Sequence, residues 1–290
     1  MMVRRIFRIV VLALVTTLSS ACSPLRLVNA LVPDATYSAT LDLAYGPHPR
    51  HKLDVYRPQG TGPFPLVVFF YGGSWDKGER KDYKFVGEAL AARGIAVAVA
   101  DYRLYPEVRY PQFLEDGARA VAWMQREARR FGADPGQLFV MGHSAGAYNA
   151  AMLALDRRWL EAHGMSPSQL AGWVGLAGPY DFLPSGDPGV QPVFHHPDYP
   201  QGAQPVEQVL KGAPRAFLGA PRSDSVVDPV RSTQALAAKL RAAGVPVTLE
   251  FYERVSHGTL VGAFARPLRS LAPVLRDVSD FVLAEAKNRG

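Results

Sequence analysis

Hydrophobic positions recur along this chain at two periods, and the period predicts the element at each place. Residues 37–46 (YSATLDLAYG) and 51–58 (HKLDVYRP) read as two short strands, joined near Gly46-Pro47 as a hairpin or meander. PLVVFF at 65–70 is an unbroken apolar run, the pattern of a strand buried on both faces. Residues 80–93 are helical in pattern and stop at Gly94, and IAVAVADYR (95–103) follows as another buried strand. From Phe113 to Phe131 the apolar Ala118, Val121, Ala122 and Met124 recur at helical spacing, and the pattern ends at Gly132. QLFVMGHSAGA (137–147) runs from a strand into a helix. GWVGLAG (172–178), PRAFLG (214–219) and PVTLEFYE (246–253) are further strands, with helical stretches at 230–243 and 268–287. Strands alternating with helices predict an α/β fold: a mostly parallel, twisted sheet of about eight strands with helices on both faces. The stretch 179–212, rich in Pro and Gly, breaks the alternation and is either a surface excursion or a lid over the strand ends.

Composition adds a size limit and an address. With 290 residues, 48% of them hydrophobic, the chain is long enough for a substantial core, and no internal repeat divides it. Arg4, Arg5 and Arg8 precede a short apolar run, Ile9 to Leu18, and then the small residues Ser19, Ser20 and Ala21. That is the layout of a secretory signal, with an apolar core too short to span a bilayer comfortably. The single cysteine, Cys22, comes next. The arrangement resembles the lipobox of bacterial lipoproteins, with Ser19 where those carry Leu. The resemblance implies a lipidated Cys22 as the mature N-terminus and, with Ser23 after it, sorting to the outer membrane. The net charge of +6 less the three signal arginines leaves +3. Lys and Arg are scattered, so there is no nucleic-acid footprint.

The chemistry centres on Gly142-His143-Ser144-Ala145-Gly146. GxSxG at a strand-to-helix junction is a nucleophile elbow: the glycines permit a turn too tight for side chains and hold the Ser144 hydroxyl clear of the sheet. Serine needs a base. Of the seven histidines, His48, His51 and His163 lie in polar surroundings and read as solvated. His143 reads as packing or orientation beside the turn. His195 and His196 lack Asp, Glu or Cys at ligand spacing, so no metal is expected there. His257 follows the last strand in RVSHGT (254–259), ahead of the final helix, where a base is expected. After PRAFLG come two candidate acids. Asp228 precedes Pro229 at the start of a helical pattern and reads as an N-cap. Asp224 has no capping role and is the expected partner of His257. A developing oxyanion needs preorganised donors, each worth on the order of 3 kcal/mol. The N–H of Ala145 is one, and others are expected from YGGSW (71–75), the loop after the third strand.

With these residues in hand, the chain resembles the α/β-hydrolase superfamily from about residue 36 onward. More closely, it is similar to esterases related to hormone-sensitive lipase and kynurenine formamidase. The supporting stretches are YGGSW, Asp101-Tyr102-Arg103-Leu104 with Pro106-Glu107, Tyr110-Pro111 and Asp116, then GHSAG and Gly178-Pro179-Tyr180-Asp181-Phe182. The resemblance implies that Gly73 and Ser74 supply oxyanion N–H groups, and that Tyr102, Arg103 and Asp116 brace their loop. Tyr71 departs from it, standing where these families usually have His; it could anchor the loop, donate its hydroxyl to the oxyanion, or be core. The expected organisation is a signal peptide (1–21), a lipidated tether (22–35) and an α/β-hydrolase domain (36–290). The expected activity is hydrolysis of a small carboxylic ester without cofactor or metal, by Ser144, His257 and Asp224, in an exported, membrane-anchored protein. An arylformamidase or other amide hydrolase would use the same triad, although export argues against kynurenine formamidase. A non-catalytic envelope lipoprotein on this fold would be signalled by lost triad residues, and all three are present.

Overall fold

The computed structural model describes residues 24–289. Its centre is one eight-stranded sheet in the order β1-β2-β4-β3-β5-β6-β7-β8. The strands are β1 (Tyr37–Ala44), β2 (Lys52–Pro58), β3 (Phe64–Phe70), β4 (Ala96–Ala100), β5 (Ala133–His143), β6 (Gly172–Leu176), β7 (Ala216–Pro221) and β8 (Val247–Tyr252). The β1–β2 and β2–β4 pairs are antiparallel and every other pair is parallel. Leu66 to Phe70 of β3 and all of β4 are fully buried, as their unbroken apolar runs require.

Helices α1 (Pro24–Ala30), α2 (Lys84–Ala91), α3 (Gln112–Glu127), α4 (Ala145–Leu155), α5 (Arg157–Glu161), α6 (Ala235–Ala242), α7 (His257–Gly262) and α8 (Val274–Arg289) complete the architecture. They cover both faces. Phe139 of β5 meets Phe281 of α8, with ring centroids 6.3 Å apart. Phe139 pairs in register with Val67, so Phe70 points to the opposite face, where it lies under Gly117 of α3. This is the α/β-hydrolase architecture, with strand ends delivering residues 71–78, 144, 224 and 257 to one edge of the sheet.

Several details differ from the sequence reading. The last helix begins at Val274 instead of 268, because Pro273 has no N–H and is tolerated only at a helix start; residues 266–268 form a separate 3-10 turn. The helical stretch from 230 opens with a π-turn, Val230–Gln234, before α6. Residues 24–30, expected as tether, form α1; Asn29 Nδ2 donates to the Lys81 carbonyl and its Oδ1 accepts from Phe85 N–H. The 179–212 segment is anchored in the core at Tyr180, Val193, Phe194 and Ala203, which are fully buried, while residues 186–189 and 196–198 are exposed. The expected signal peptide (1–21) and Cys22 lie outside the described residues. Among the described residues, no helix is long and apolar enough to cross a membrane.

Candidate active site

The elbow between β5 and α4 forces Ser144 into a rare conformation, φ 55° and ψ −124°. A Cβ on Gly142 would come within 2.0 Å of the Gly146 carbonyl oxygen, and one on Gly146 within 2.0 Å of the Phe70 carbonyl oxygen. Only glycine fits either place. The Ser144 N–H donates to the Leu176 carbonyl (2.9 Å), fixing the turn against β6. Ser144 Oγ lies 2.8 Å from His257 Nε2, and His257 Nδ1 lies 2.8 Å from Asp224 Oδ2. A carboxylate can only accept, so the ring proton sits on Nδ1 and Nε2 is free to accept from the serine. His257 is the first residue of the short helix α7, not part of an open loop; Ser256 and Thr259 cap it reciprocally.

Asp224 is buried with its other oxygen taking the N–H of Val226 (2.8 Å) and Val227 (3.3 Å). Burial pushes its pKa up, but the bonds from His257 and these amides outweigh that, and the net shift is below the usual carboxylate value. Asp228 accepts from Val230 and Arg231 N–H (2.8 and 3.1 Å), the capping work expected of it. His143 is buried beside the triad, its ring 4.9 Å from that of His257, and its Nε2–H donates to the His257 carbonyl (2.8 Å). Burial and the neighbouring His257 lower its pKa to about 3, so it stays neutral.

Across from the serine runs the loop 71–78. Gly73, Ser74 and Trp75 take positive φ in succession (123°, 51° and 60°), and the Gly73 carbonyl accepts from Asp76 and Lys77 N–H. The loop presses on the nucleophile: a Cβ on Gly72 would lie 2.8 Å from Ser144 Cβ. Ser74 and Ala145 line one cavity together with Ser144, and Gly73 is not part of that lining. As the first residue of α4, Ala145 has an N–H with no carbonyl inside the helix to bind.

Tyr71 is fully buried, stacked between Tyr83 and Tyr102 at centroid distances of 5.4 and 5.0 Å. Its hydroxyl donates to Asp101 Oδ1 (2.8 Å) and accepts from Arg50 Nη2 (2.7 Å). Of the three readings of Tyr71, this geometry fits the anchor, because a hydroxyl proton held by Asp101 is not available to an oxyanion. Tyr102 braces the same point, its hydroxyl donating to the Tyr71 carbonyl (2.8 Å). Asp116 holds Arg103 through both oxygens (2.7 to 3.1 Å) and also His51 Nε2 (2.9 Å). His51 is therefore buried and paired, not solvated as its polar neighbours suggested. His163 is half-buried, and burial lowers its pKa. His195 Nε2 meets the Tyr110 carbonyl and His196 Nδ1 the Tyr199 hydroxyl. Among the described residues, no group of three His, Cys, Asp or Glu side chains is placed to hold a metal.

The cavity over Ser144 measures about 260 Å³. Trp75, Phe182, Val190 and Val227 give it apolar walls, and Asp181, Asp187, Asp228 and Arg231 a polar side. Trp75 is itself fixed, its Nε1–H bonded to Asn149 Oδ1 (3.0 Å) and its ring packed on Phe113 and Phe182. The wall at 181–183 is tied from two directions. Gln204 Oε1 takes the N–H of both Phe182 and Leu183 at 2.6 Å, and Arg231 Nη2 donates to Asp181 Oδ1 (3.1 Å) and the Leu183 carbonyl (3.3 Å). Arg50, Arg80 and Gln204 had no signal in the sequence: each is a lone side chain acting over a long separation.

The profile of the BD-FAE family matches residues 53–240, which include the elbow, the loop 71–78 and Asp224. The chain belongs to the BD-FAE family. This BD-FAE protein is 31% identical to the carboxylesterase NlhH of Mycobacterium tuberculosis, over 70% of this chain and 69% of that one. It is 33% identical to a probable isoprenylcysteine alpha-carbonyl methylesterase of Arabidopsis thaliana, over 49% of this chain. The chain spans about a third of that plant relative's length, 31%. Among solved structures, esterase B from Lactobacillus rhamnosis superposes with a TM-score of 0.75 at 19% identity, covering 96% of this chain and 97% of that one. At that identity the likeness speaks for the fold.

Proposed function

We propose that this protein is a serine carboxylesterase that works through an acyl-enzyme. The observation supporting it is the unbroken chain Ser144 Oγ–His257–Asp224, with both contacts at 2.8 Å. Relatives named as carboxylesterase and methylesterase favour an ester over other acyl substrates. In this reading His257 Nε2 takes the proton of Ser144 as Oγ attacks the ester carbonyl carbon. The imidazolium that forms is stabilised by Asp224, whose lowered pKa keeps it ionised. The carbonyl oxygen becomes an anion held by main-chain N–H groups of Ala145, Ser74 and Gly73. His257 then protonates the departing alcohol, and the same residues repeat the sequence with water to release the acid. The cavity of about 260 Å³ lies just below the roughly 300–1,000 Å³ usual for pockets that take drug-sized ligands, which favours a small ester.

The test is a panel of p-nitrophenyl esters from acetate to laurate beside N-formylkynurenine. Turnover of short esters, abolished in Ser144→Ala, is the expected result; formamide turnover far above ester turnover would overturn the ester reading.

The N-terminal residues support export and a lipid anchor on Cys22 in the outer membrane as part of this proposal. Intact-mass measurement of membrane-extracted protein tests it: the expected species begins at an acylated Cys22, and an unlipidated chain or another N-terminus refutes it.

A further inference from the structure

We propose that Arg50 is a positioning residue for the oxyanion loop, on the reading that residues 71–78 carry its N–H donors. Arg50 lies in the turn between β1 and β2, far from Ser144 in sequence. Its Nη2 donates to the Tyr71 hydroxyl (2.7 Å) and to the Gly78 carbonyl (2.9 Å), and its Nε to the Tyr102 carbonyl (2.8 Å). Tyr71 and Gly78 are the two ends of the loop, so one nitrogen pins both. Because Tyr71 accepts from Arg50, its own proton is directed at Asp101 Oδ1.

Asp101 is the second half of the clamp. It takes the backbone N–H of Arg80 (2.7 Å) and Arg80 Nη1 (2.5 Å), while Arg80 Nε binds Asp54 (2.9 Å). Arg80 also pairs with Asp42. Burying such charges costs desolvation, and an apolar cluster of similar volume would often be as stable. A charged fork fixes direction and distance in a way an apolar contact does not. Between the pinned ends, Ser74 and Trp75 are non-glycine residues at positive φ, conformations that persist only where the surroundings over-determine them. The turn bearing Arg50 is rigid as well: Tyr45 N–H donates to the His51 carbonyl, the Tyr45 hydroxyl donates to the Asp101 carbonyl, and His51 is held by Asp116. The clamp and the strain it opposes lie on the same seven-peptide span, which is why the effect belongs to the transition state. Substrate binding uses the cavity walls, whereas the N–H positions matter once the oxyanion forms.

The experiment compares Arg50→Met, Arg50→Lys, Tyr71→Phe and the Arg50→Met/Tyr71→Phe double variant in the full chain, with p-nitrophenyl butyrate. Displacing the loop donors by a fraction of an ångström should lower kcat about 30-fold in Arg50→Met and about 10-fold in Tyr71→Phe, with KM within twofold. The double variant should lose less than the product of the two single losses, since the two share the Arg50–Tyr71 contact. Arg50→Lys should recover part of the loss, its ammonium reaching one acceptor but not forking. Should Arg50→Met not fold, Tyr71→Phe and Arg50→Lys decide, because Phe keeps the stacking on Tyr83 and Tyr102. A kcat within twofold of wild type in both, or a loss expressed as raised KM at constant kcat, overturns the proposal. Ser144→Ala, assayed alongside, separates this from the esterase reading itself.

Discussion

Ser144, His257 and Asp224 are held chiefly by backbone geometry and main-chain hydrogen bonds, whereas the loop facing them is held by charged side chains brought from other elements. On the triad side, two glycines, a backbone bond from Ser144 N–H to Leu176, the His143 contact to the His257 carbonyl, and the Val226 and Val227 N–H groups on Asp224 set the positions. On the loop side, Arg50 holds Tyr71 and Gly78, Asp101 holds Tyr71, and Arg80 ties Asp101 to Asp54. A reacting serine must be exposed at a tight turn, and glycine chemistry achieves that within five residues. In the facing loop, the bonds from Asp76 and Lys77 N–H to the Gly73 carbonyl close the turn, and its two ends are held from outside.

This contrast can be attacked in order of expected effect. Ser144→Ala should lower kcat by at least about 10⁴-fold, with thermal melting unchanged, since the triad half is built on backbone geometry and not on the hydroxyl. Asp224→Asn should cost about 10³- to 10⁴-fold in kcat by favouring the wrong imidazole tautomer. Asp228→Ala, in contrast, should cost about 1 kcal/mol of stability through the lost cap, read from urea unfolding. If the two aspartates exchanged these phenotypes, the assignment of the triad acid would be wrong.

The neutral pin has its own signature. Native His143 refuses a proton until about pH 3, whereas the unfolded chain takes one near the usual value of about 6.5. Its contribution is therefore intact above about pH 6.5 and is lost progressively as the pH falls toward 3, at about 1.4 kcal/mol per unit. Between pH 7 and pH 5, His143→Phe should lose about 2 kcal/mol less stability than wild type in denaturant titrations. Equal losses in the two proteins would mean that His143 is not the neutral group holding His257.

The same contrast explains what could be read in advance. GHSAG announced Ser144 because an elbow needs its glycines within five residues, and His257 and Asp224 followed from strand order. Asp224 was separable from Asp228 because Pro229 betrays a cap. The parallel sheet was legible in the unbroken apolar runs of β3 and β4. Illegible was whatever depends on partners far along the chain. His51 looked solvated because Asp116 is sixty-five residues away. Arg50 gave no signal, its three acceptors lying 21 to 52 residues away. Tyr71 stood open among three roles until Asp101 and Arg50 flanked its hydroxyl. Residues 179–212 looked like an excursion or a lid because their anchors, Gln204 and Arg231, are single polar side chains in unpatterned stretches.

That doubly tied wall at 181–183 bears on how the protein would meet an insoluble substrate. Lipases that must swing a cover aside show a jump in rate when monomers give way to droplets. Gln204 on the Phe182 and Leu183 N–H groups, and Arg231 on Asp181 and the Leu183 carbonyl, predict that this wall does not swing aside at an oil–water boundary. Initial rates on tributyrin should therefore climb smoothly and saturate below the solubility limit, without a step where emulsion appears.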